Sequence, residues 1–390
     1  MKDIAIKKLI EKEDKRQKSV INLIASENYV SDDVLKALGS TLTNKYSEGY
    51  PGRRYYGGNT IIDQVESLAQ ERALSLFKLD PKKWHVNVQP LSGSPANLAV
   101  YSALVPIGGK IMGLKLSSGG HLTHGQSVSM TGKIWKQVPY EVDPKTELIN
   151  FKEVEKIALE HKPDIIVAGF TAYPRVVDFK KFASIAKKVG ALLMVDMSHV
   201  AGLVAGEAYP SPFPYADVVT TTVHRTLRGP RSAMIFVRKD KREMDKKIDK
   251  AIIPGLQGGP HNNQVAAVAV ALKEAATPAF KKYAAQVIKN AQALGKALQA
   301  KGWRLISGGT DSHLLLVDTW AQGQGVSGKD ASDRLEKAGI IVNMNTIPQD
   351  PRGVMDPSGI RIGTAAVTTL GMKEKDMKKI AERMDQILRK

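Results

Sequence analysis

The stretch from Ala191 to Arg231, ALLMVDMSHVAG through DVVTTTVHRTLRGPR, limits what this chain can fold into more than any other. It holds two apolar, β-branched runs, 191–195 and 217–223, and each stops abruptly at polar residues. Such runs read as buried parallel strands, and ligands collect at the carboxyl ends of strands in open α/β sheets. The first run delivers Asp196 and His199; the second delivers His224 and Arg225. An acid held at a strand end suits the nitrogen of a pyridinium ring, so pyridoxal phosphate is the cofactor to consider. That cofactor also calls for a lysine to form its Schiff base. Arg225 stands where that lysine is expected.

Other segments repeat the strand–turn–ligand theme. HVNVQPLSGSPANLAVYSAL, 85–104, reads as strand, tight turn and helix. Ser92, Gly93 and Ser94 fall where the helix begins, so hydroxyls, backbone N–H groups and the helix dipole converge on a phosphate. Pro95 suits the first helical turn. Strands are expected at 110–116 and 164–174, and a helix over 178–189 with Phe179, Phe182, Ile185, Ala186 and Val189 on one face. NKYSEGYPGRRYYGGNT, 44–60, is too rich in turn formers for a regular element, and its tyrosines suggest contact with a ligand or another subunit. Thr60 to Asp63 then reads as a capping box opening a helix to about residue 77.

Two domains are expected from 390 residues. The division falls as an arm at 1–20, a large cofactor-binding domain at 21–278 and a small C-terminal domain at 279–390. The small domain is expected to carry a helix at 280–300, strands at 312–318 and 339–344, and helices at 328–338 and 372–389. No run is long and apolar enough to span a membrane. MKDIAIKKLIEKEDKRQ, with both charge signs and no apolar core, reads as a charged helical arm rather than a signal peptide. The absence of cysteine excludes disulfides and thiolate metal sites and fits a cytoplasmic protein. His121 and His124 lack a third ligand, so no metal is expected. Net charge is +18. The lysines and arginines are scattered over helical segments without a nucleic-acid motif, so a solvated basic surface is the reading and nucleic acid is not an expected partner.

DMSHVAGLVAG followed by TTTVHRTLRGPR resembles serine hydroxymethyltransferase (glycine hydroxymethyltransferase), and the resemblance runs from INLIASENYVS at 21–31 to SGIRIGTAAVTTLG at 358–371. It implies a fold type I pyridoxal-phosphate transferase: α/β, with a mostly parallel central sheet in the large domain and a smaller α+β domain. It implies interconversion of serine and glycine, with tetrahydrofolate as one-carbon acceptor, in a homodimer with shared active sites. Ser92, Gly93 and Ser94 would bind the cofactor phosphate; His121 would stack on the ring. Thr171 stands where the family usually has serine and would reach the ring oxygen. Asp196 would pair with the ring nitrogen, with His199 and His224 beside it. Gly258 and Gly259 would close the phosphate site of the neighbouring subunit. Glu48 would act as acid–base catalyst, Tyr56 as a site hydroxyl, and Tyr46 in the partner's site. Ser26 and Arg361 would take the substrate carboxylate, and Leu116, Leu122 and Asn345 would line the folate site.

The resemblance departs at its most important position, because the Schiff-base lysine would be residue 225. Arginine offers no neutral nucleophile near neutral pH, since its pKa exceeds ~12. Three readings stand: an introduced Lys→Arg change, a lysine-less homologue with impaired or altered activity, or service by another lysine such as Lys45 or Lys115. A noncatalytic pyridoxal-phosphate-binding or regulatory paralogue is the alternative. Retention of Ser92, Gly93, Ser94, His121, Asp196, His199 and Arg361 argues against it.

Overall fold

The computed structural model describes residues 1–389. Seven strands form the large sheet: β1 (Trp84–Asn87), β2 (Lys110–Leu114), β3 (Lys136–Tyr140), β4 (Ile165–Gly169), β5 (Leu192–Asp196), β6 (Val218–Thr222) and β7 (Ala233–Arg238). Their spatial order is β1–β7–β6–β5–β4–β2–β3. All neighbours are parallel except β7, which runs antiparallel to β1 and β6. β4, β6 and most of β5 are buried, as their unbroken apolar or β-branched sequences require when helices cover both faces. Helix Phe179–Val189 buries Phe179, Phe182, Ile185 and Ala186 against one of those faces, and ends at Gly190 in the left-handed conformation.

A second, antiparallel sheet orders β8 (Arg304–Leu305), β9 (Leu314–Asp318), β11 (Gly359–Gly363) and β10 (Asn343–Asn345) as β8–β9–β11–β10. It has its own apolar core, which includes Leu294, Leu298, Leu315, Ile360, Met377 and Met384. The architecture is therefore α/β with an added α+β layer. The segment after the N-terminal helix joins the second layer: Ile21 and Asn22 pair in parallel with Ile340 and Ile341, and Leu23 enters that core. Helix Ile4–Ser19 buries none of its residues.

One local expectation fails. Asp63 does not close a capping box, because its carboxylate accepts from the Gly52 backbone N–H at 2.9 Å and from Arg54 at 2.8 Å. Arg54 also donates to Glu66 at 2.6 Å and to the carbonyls of Ser47 and Gly49. A buried guanidinium needs carboxylate partners more than a helix end needs a cap, so Asp63 braces loop 44–60 instead. Among the described residues, no helix is long and apolar enough to cross a membrane, and no cluster of three metal-ligating side chains occurs.

Candidate active site

β4, β5 and β6 end side by side, and the loops beyond their carboxyl ends wall a cavity together with the turn after β1. Ser92, Gly93, Ser94, Asn97, His121, Thr171, Asp196, His199, His224 and Arg225 all line it. Most of the cofactor-site residues expected from sequence thus meet in one place, as a sheet of this topology dictates.

The Ser92–Ser94 turn is built by close packing. Ser92 caps helix Gly93–Leu104, and its side chain makes no capping bond. A Cβ on Gly93 would come within 2.8 Å of the Thr222 methyl, so only glycine brings these backbone N–H groups against β6. The first turn of the helix is left facing the cavity, as an anion requires.

Asp196 is held ionised. Burial by itself would raise its carboxyl. Hydrogen bonds from His124 Nε2 at 3.3 Å and from Asn97 at 2.9 Å outweigh that and hold it below the ordinary carboxylate range. Its other oxygen accepts the Ser198 N–H at 3.1 Å. Asn97 is the centre of this network: it also donates to Thr123 at 2.9 Å and accepts from Thr220 at 2.8 Å. Thr123 in turn orients His121, whose Nδ1 accepts the Thr123 backbone N–H at 3.2 Å. Burial, then the neighbouring His124, keeps the His121 ring neutral with its pKa lowered to about 4.

On the opposite wall His199 stacks on His313, with ring centroids 5.4 Å apart. His313 Nε2 lies 3.1 Å from the carbonyl oxygen of Ala25, which can only accept, so this nitrogen carries the hydrogen. His199 Nδ1, 3.3 Å from the same nitrogen, is then an acceptor, and His199 Nε2–H is left as a donor. Burial lowers His313 to about 3 and holds His199 well below its ordinary range. The sign of the pH effect follows. An unfolded histidine gains its proton below about pH 6.5, whereas folded His313 does so only near 3. Stability therefore falls as pH drops through that window, by about 2 kcal/mol at pH 5 from His313 alone. We expect urea midpoints to fall between pH 7 and 5 and the slope to flatten in His313→Asn; an unchanged slope would refute the assignment.

Four buried polar atoms of the lining have no protein partner: His199 Nε2, Thr222 Oγ1, His224 Nδ1 and Arg225 Nε. Buried polar groups of this kind await a polar ligand. A phosphorylated pyridine ring supplies what they lack, with Asp196 for its protonated nitrogen and the Ser92–Gly93 turn for its phosphate. The lining residues are of the kinds that pyridoxal phosphate needs, except for a covalent anchor. No lysine lines it. Lys45 Nζ donates to the Tyr46 carbonyl and Lys115 pairs with Glu141, both away from the cavity of their own chain.

Position 225 is nevertheless firmly placed. Asn28 Nδ2 donates to the Arg225 carbonyl at 3.0 Å and contacts Tyr283 Oη at 2.8 Å, while Asn28 Oδ1 accepts from Thr369 at 2.7 Å. Asn28 Oδ1 also accepts the Tyr29 N–H at 2.9 Å, so Asn28→Ala strips four partners at once and is expected to cost about 2–4 kcal/mol, read as a lower urea midpoint. An unaltered midpoint would show that these bonds are replaced by water.

Other expected site residues lie outside this cavity. Arg361, only 7 % exposed, donates from Nε to Asn343 at 3.1 Å and from Nη1 to the Thr171 carbonyl at 2.7 Å, just behind the wall. Ser26 lines an adjoining groove with His224 and Arg231. Glu48, Tyr46, Tyr56, Gly258 and Gly259 form a separate cluster, with Tyr46, Tyr56 and Gly258 exposed and Glu48 and Gly259 half-buried. Tyr46 Oη donates to Glu48 at 3.2 Å, the Tyr46 and Tyr56 rings meet edge to face at 5.2 Å, and a Cβ on Gly259 would lie 3.0 Å from the Tyr46 ring. Leu122 is exposed, Leu116 half-buried, and Asn345 Nδ2 is turned onto the Thr346 carbonyl at 2.6 Å. Sequence reasoning missed Asn97, Ser198, Thr222, Arg231 and His313, and gave His124 no role in the site. A histidine opening the strand SHLLLVD was the one available signal for His313.

The family model for serine hydroxymethyltransferase matches residues 1–384. The chain is 54% identical over 386 residues to the serine hydroxymethyltransferase of Desulfotalea psychrophila, covering 99% of this chain and 88% of that one. The corresponding protein of Sorangium cellulosum is 54% identical over 385 residues, and that of Coprothermobacter proteolyticus 53% over 385, with 89% and 91% of those chains covered. Fold, cavity and likeness agree: the chain belongs to the serine hydroxymethyltransferase family.

Proposed function

We propose that this chain interconverts serine and glycine with pyridoxal phosphate as cofactor and tetrahydrofolate as one-carbon carrier. The hydroxymethyl carbon of serine passes to the folate at the formaldehyde level, leaving glycine and releasing water. The observation that carries the reading is the convergence of the Ser92–Gly93 cradle and the ionised Asp196 on one cavity. When bound, the cofactor supplies a protonated ring that withdraws electrons from the bond being broken.

The residues divide the work. Ser92, Gly93 and Ser94 hold the phosphate through hydroxyls and backbone N–H groups. Asp196 keeps the ring nitrogen protonated by offering a fixed negative charge in a water-poor site. His121 covers the ring face, and Thr171 and His199 Nε2–H donate to its oxygen, with His224 beside them. Arg361 and Ser26 orient the substrate carboxylate. Glu48 moves protons, with Tyr46 and Tyr56 beside it. The exposure of that cluster supports a homodimer in which it and Gly258–Gly259 complete the partner's site. Leu116, Leu122 and Asn345 border the folate. The separate cores support a large and a small domain, with the division falling inside helix Pro278–Ala300: Phe280 to Val287 pack in the first core, Ala291 to Leu298 in the second, and Leu23 joins the second. A cysteine-free sequence without a membrane-crossing helix supports the cytoplasm.

The purified protein is to be supplied with cofactor, serine and tetrahydrofolate, and glycine measured. Slow, folate-dependent glycine formation is expected. Its complete absence, with cofactor bound, would favour the noncatalytic paralogue, the reading to which Arg225 lends support.

A further inference from the structure

The cavity carries more positive charge than the protein balances. Arg225 and Arg231 line it, and Arg361 stands behind its wall, against a single lining carboxylate, Asp196. Asp196 is already engaged by His124, Asn97 and Ser198, so it satisfies none of the arginines. Arg225 is the anomaly. Its Nε is buried without a partner, and its side chain forms no hydrogen bond or ion pair among the described residues. Burial, opposed by Asp196, lowers its pKa to about 10, so it stays charged at neutral pH. A half-buried guanidinium whose Nε is shut off from water without a partner is costly and marks an anion that the protein itself does not provide.

Arg361 is half-satisfied in the same way. Two of its nitrogens are spent on Asn343 and the Thr171 carbonyl, leaving Nη2 unengaged among the described residues. The two guanidiniums repel each other, and Arg225 is the charge that lowers Arg361 beyond the effect of burial. A carboxylate between them would remove that repulsion and match the planar donor fork.

We infer that Arg225 is a carboxylate-binding group, and that this site retains the cofactor noncovalently as an adduct with an amino acid. The ligand class is a phosphopyridoxyl amino acid, with its phosphate on the Ser92–Gly93 turn and its carboxylate shared by Arg225 and Arg361. Charge supports this class. Three arginines and Asp196 give +2. A phosphate of about −2, one carboxylate and one protonated ring nitrogen give about −2, so the filled site is neutral. The bare cofactor lacks the carboxylate and leaves one guanidinium unmatched. The side chain that costs this protein its covalent anchor thereby becomes the group that selects the loaded over the empty cofactor. The inference rests on the cofactor reading above.

The test compares two stable ligands by equilibrium dialysis with the full-length protein. One is N-(5′-phosphopyridoxyl)serine, the reduced adduct. The other is 4-deoxypyridoxine 5′-phosphate, which has the ring and phosphate alone. The adduct is expected to bind about 100-fold tighter, the scale of a buried charge-assisted carboxylate pair. Arg225→Gln should cut that advantage to below about 10-fold and leave the affinity for the deoxy compound within about 3-fold. Equal binding of the two ligands by the unaltered protein, or an undiminished advantage in Arg225→Gln, would overturn the inference while leaving the cofactor reading intact. Failure of both ligands to bind would overturn the cofactor reading itself, and the inference with it. Should Arg225→Gln not fold, Arg225→Met is substituted and its ratio of affinities is read in the same way.

Discussion

Replacing Arg225 by lysine is expected to give a protein that holds pyridoxal phosphate covalently, absorbs in the visible, and forms glycine from serine about 100-fold faster or more, the scale of one well-placed acid–base group. The backbone at 225 is already fixed by Asn28, so the new side chain starts from a set position. Lysine fits within the space a guanidinium occupies, which avoids overpacking. Burial and the nearby Arg231 lower its pKa, as they lower that of Arg225 now, and a lowered lysine pKa yields the neutral amine that attacks an aldehyde. Arginine at about 10 has almost none of its neutral form near pH 7, and its delocalised fork is a poor nucleophile. Borohydride reduction followed by peptide mapping should place the cofactor on residue 225 of the variant and on no residue of the unaltered protein. Attachment without a gain in rate would move the lesion elsewhere, with Thr171 the first suspect. Equal rates in the two proteins would refute the decisive role given to this position.

Asp196→Asn is expected to weaken cofactor binding about 100-fold and to destabilise the empty protein by about 1–3 kcal/mol. The two losses have different origins. Every group around the Asp196 carboxylate is a donor: Asn97, the Ser198 N–H, and His124 through Nε2. An amide has one oxygen, so its NH2 must face a donor on one side, leaving buried groups unpaired. That part is read as a lower urea midpoint without cofactor. The affinity loss comes from the missing charge, because a ring nitrogen beside a neutral amide loses its proton. It is read by dialysis with 4-deoxypyridoxine 5′-phosphate, whose ring absorbance also reports protonation. Unchanged absorbance of the bound ring would show that another group holds that proton.

The sequence alone determined the strands of the large sheet and the polar groups at their ends, because both are local. An apolar β-branched run of five to seven residues has few other fates in an α/β chain, and its terminating residues must lie at the sheet edge. Ser92–Gly93–Ser94, Asp196, His199, His224 and Arg225 were legible for that reason, and they meet in one cavity. Local rules misled at Asp63, where the spacing of a helix cap was present but a buried arginine nine residues earlier claimed the carboxylate. The tertiary structure decided what holds those end groups in their working states. Asn97 lies 99 residues from Asp196, Asn28 lies 255 from Tyr283, and His199 lies 114 from His313. No periodicity encodes such pairs. Each is a polar residue on an otherwise buried element, whose partner is set by strand order and by how the second sheet closes on the first. The unpartnered state of Arg225 is likewise a tertiary fact: the sequence shows an arginine in place of a lysine, and only the packing around it shows that every nearby carboxylate is already taken.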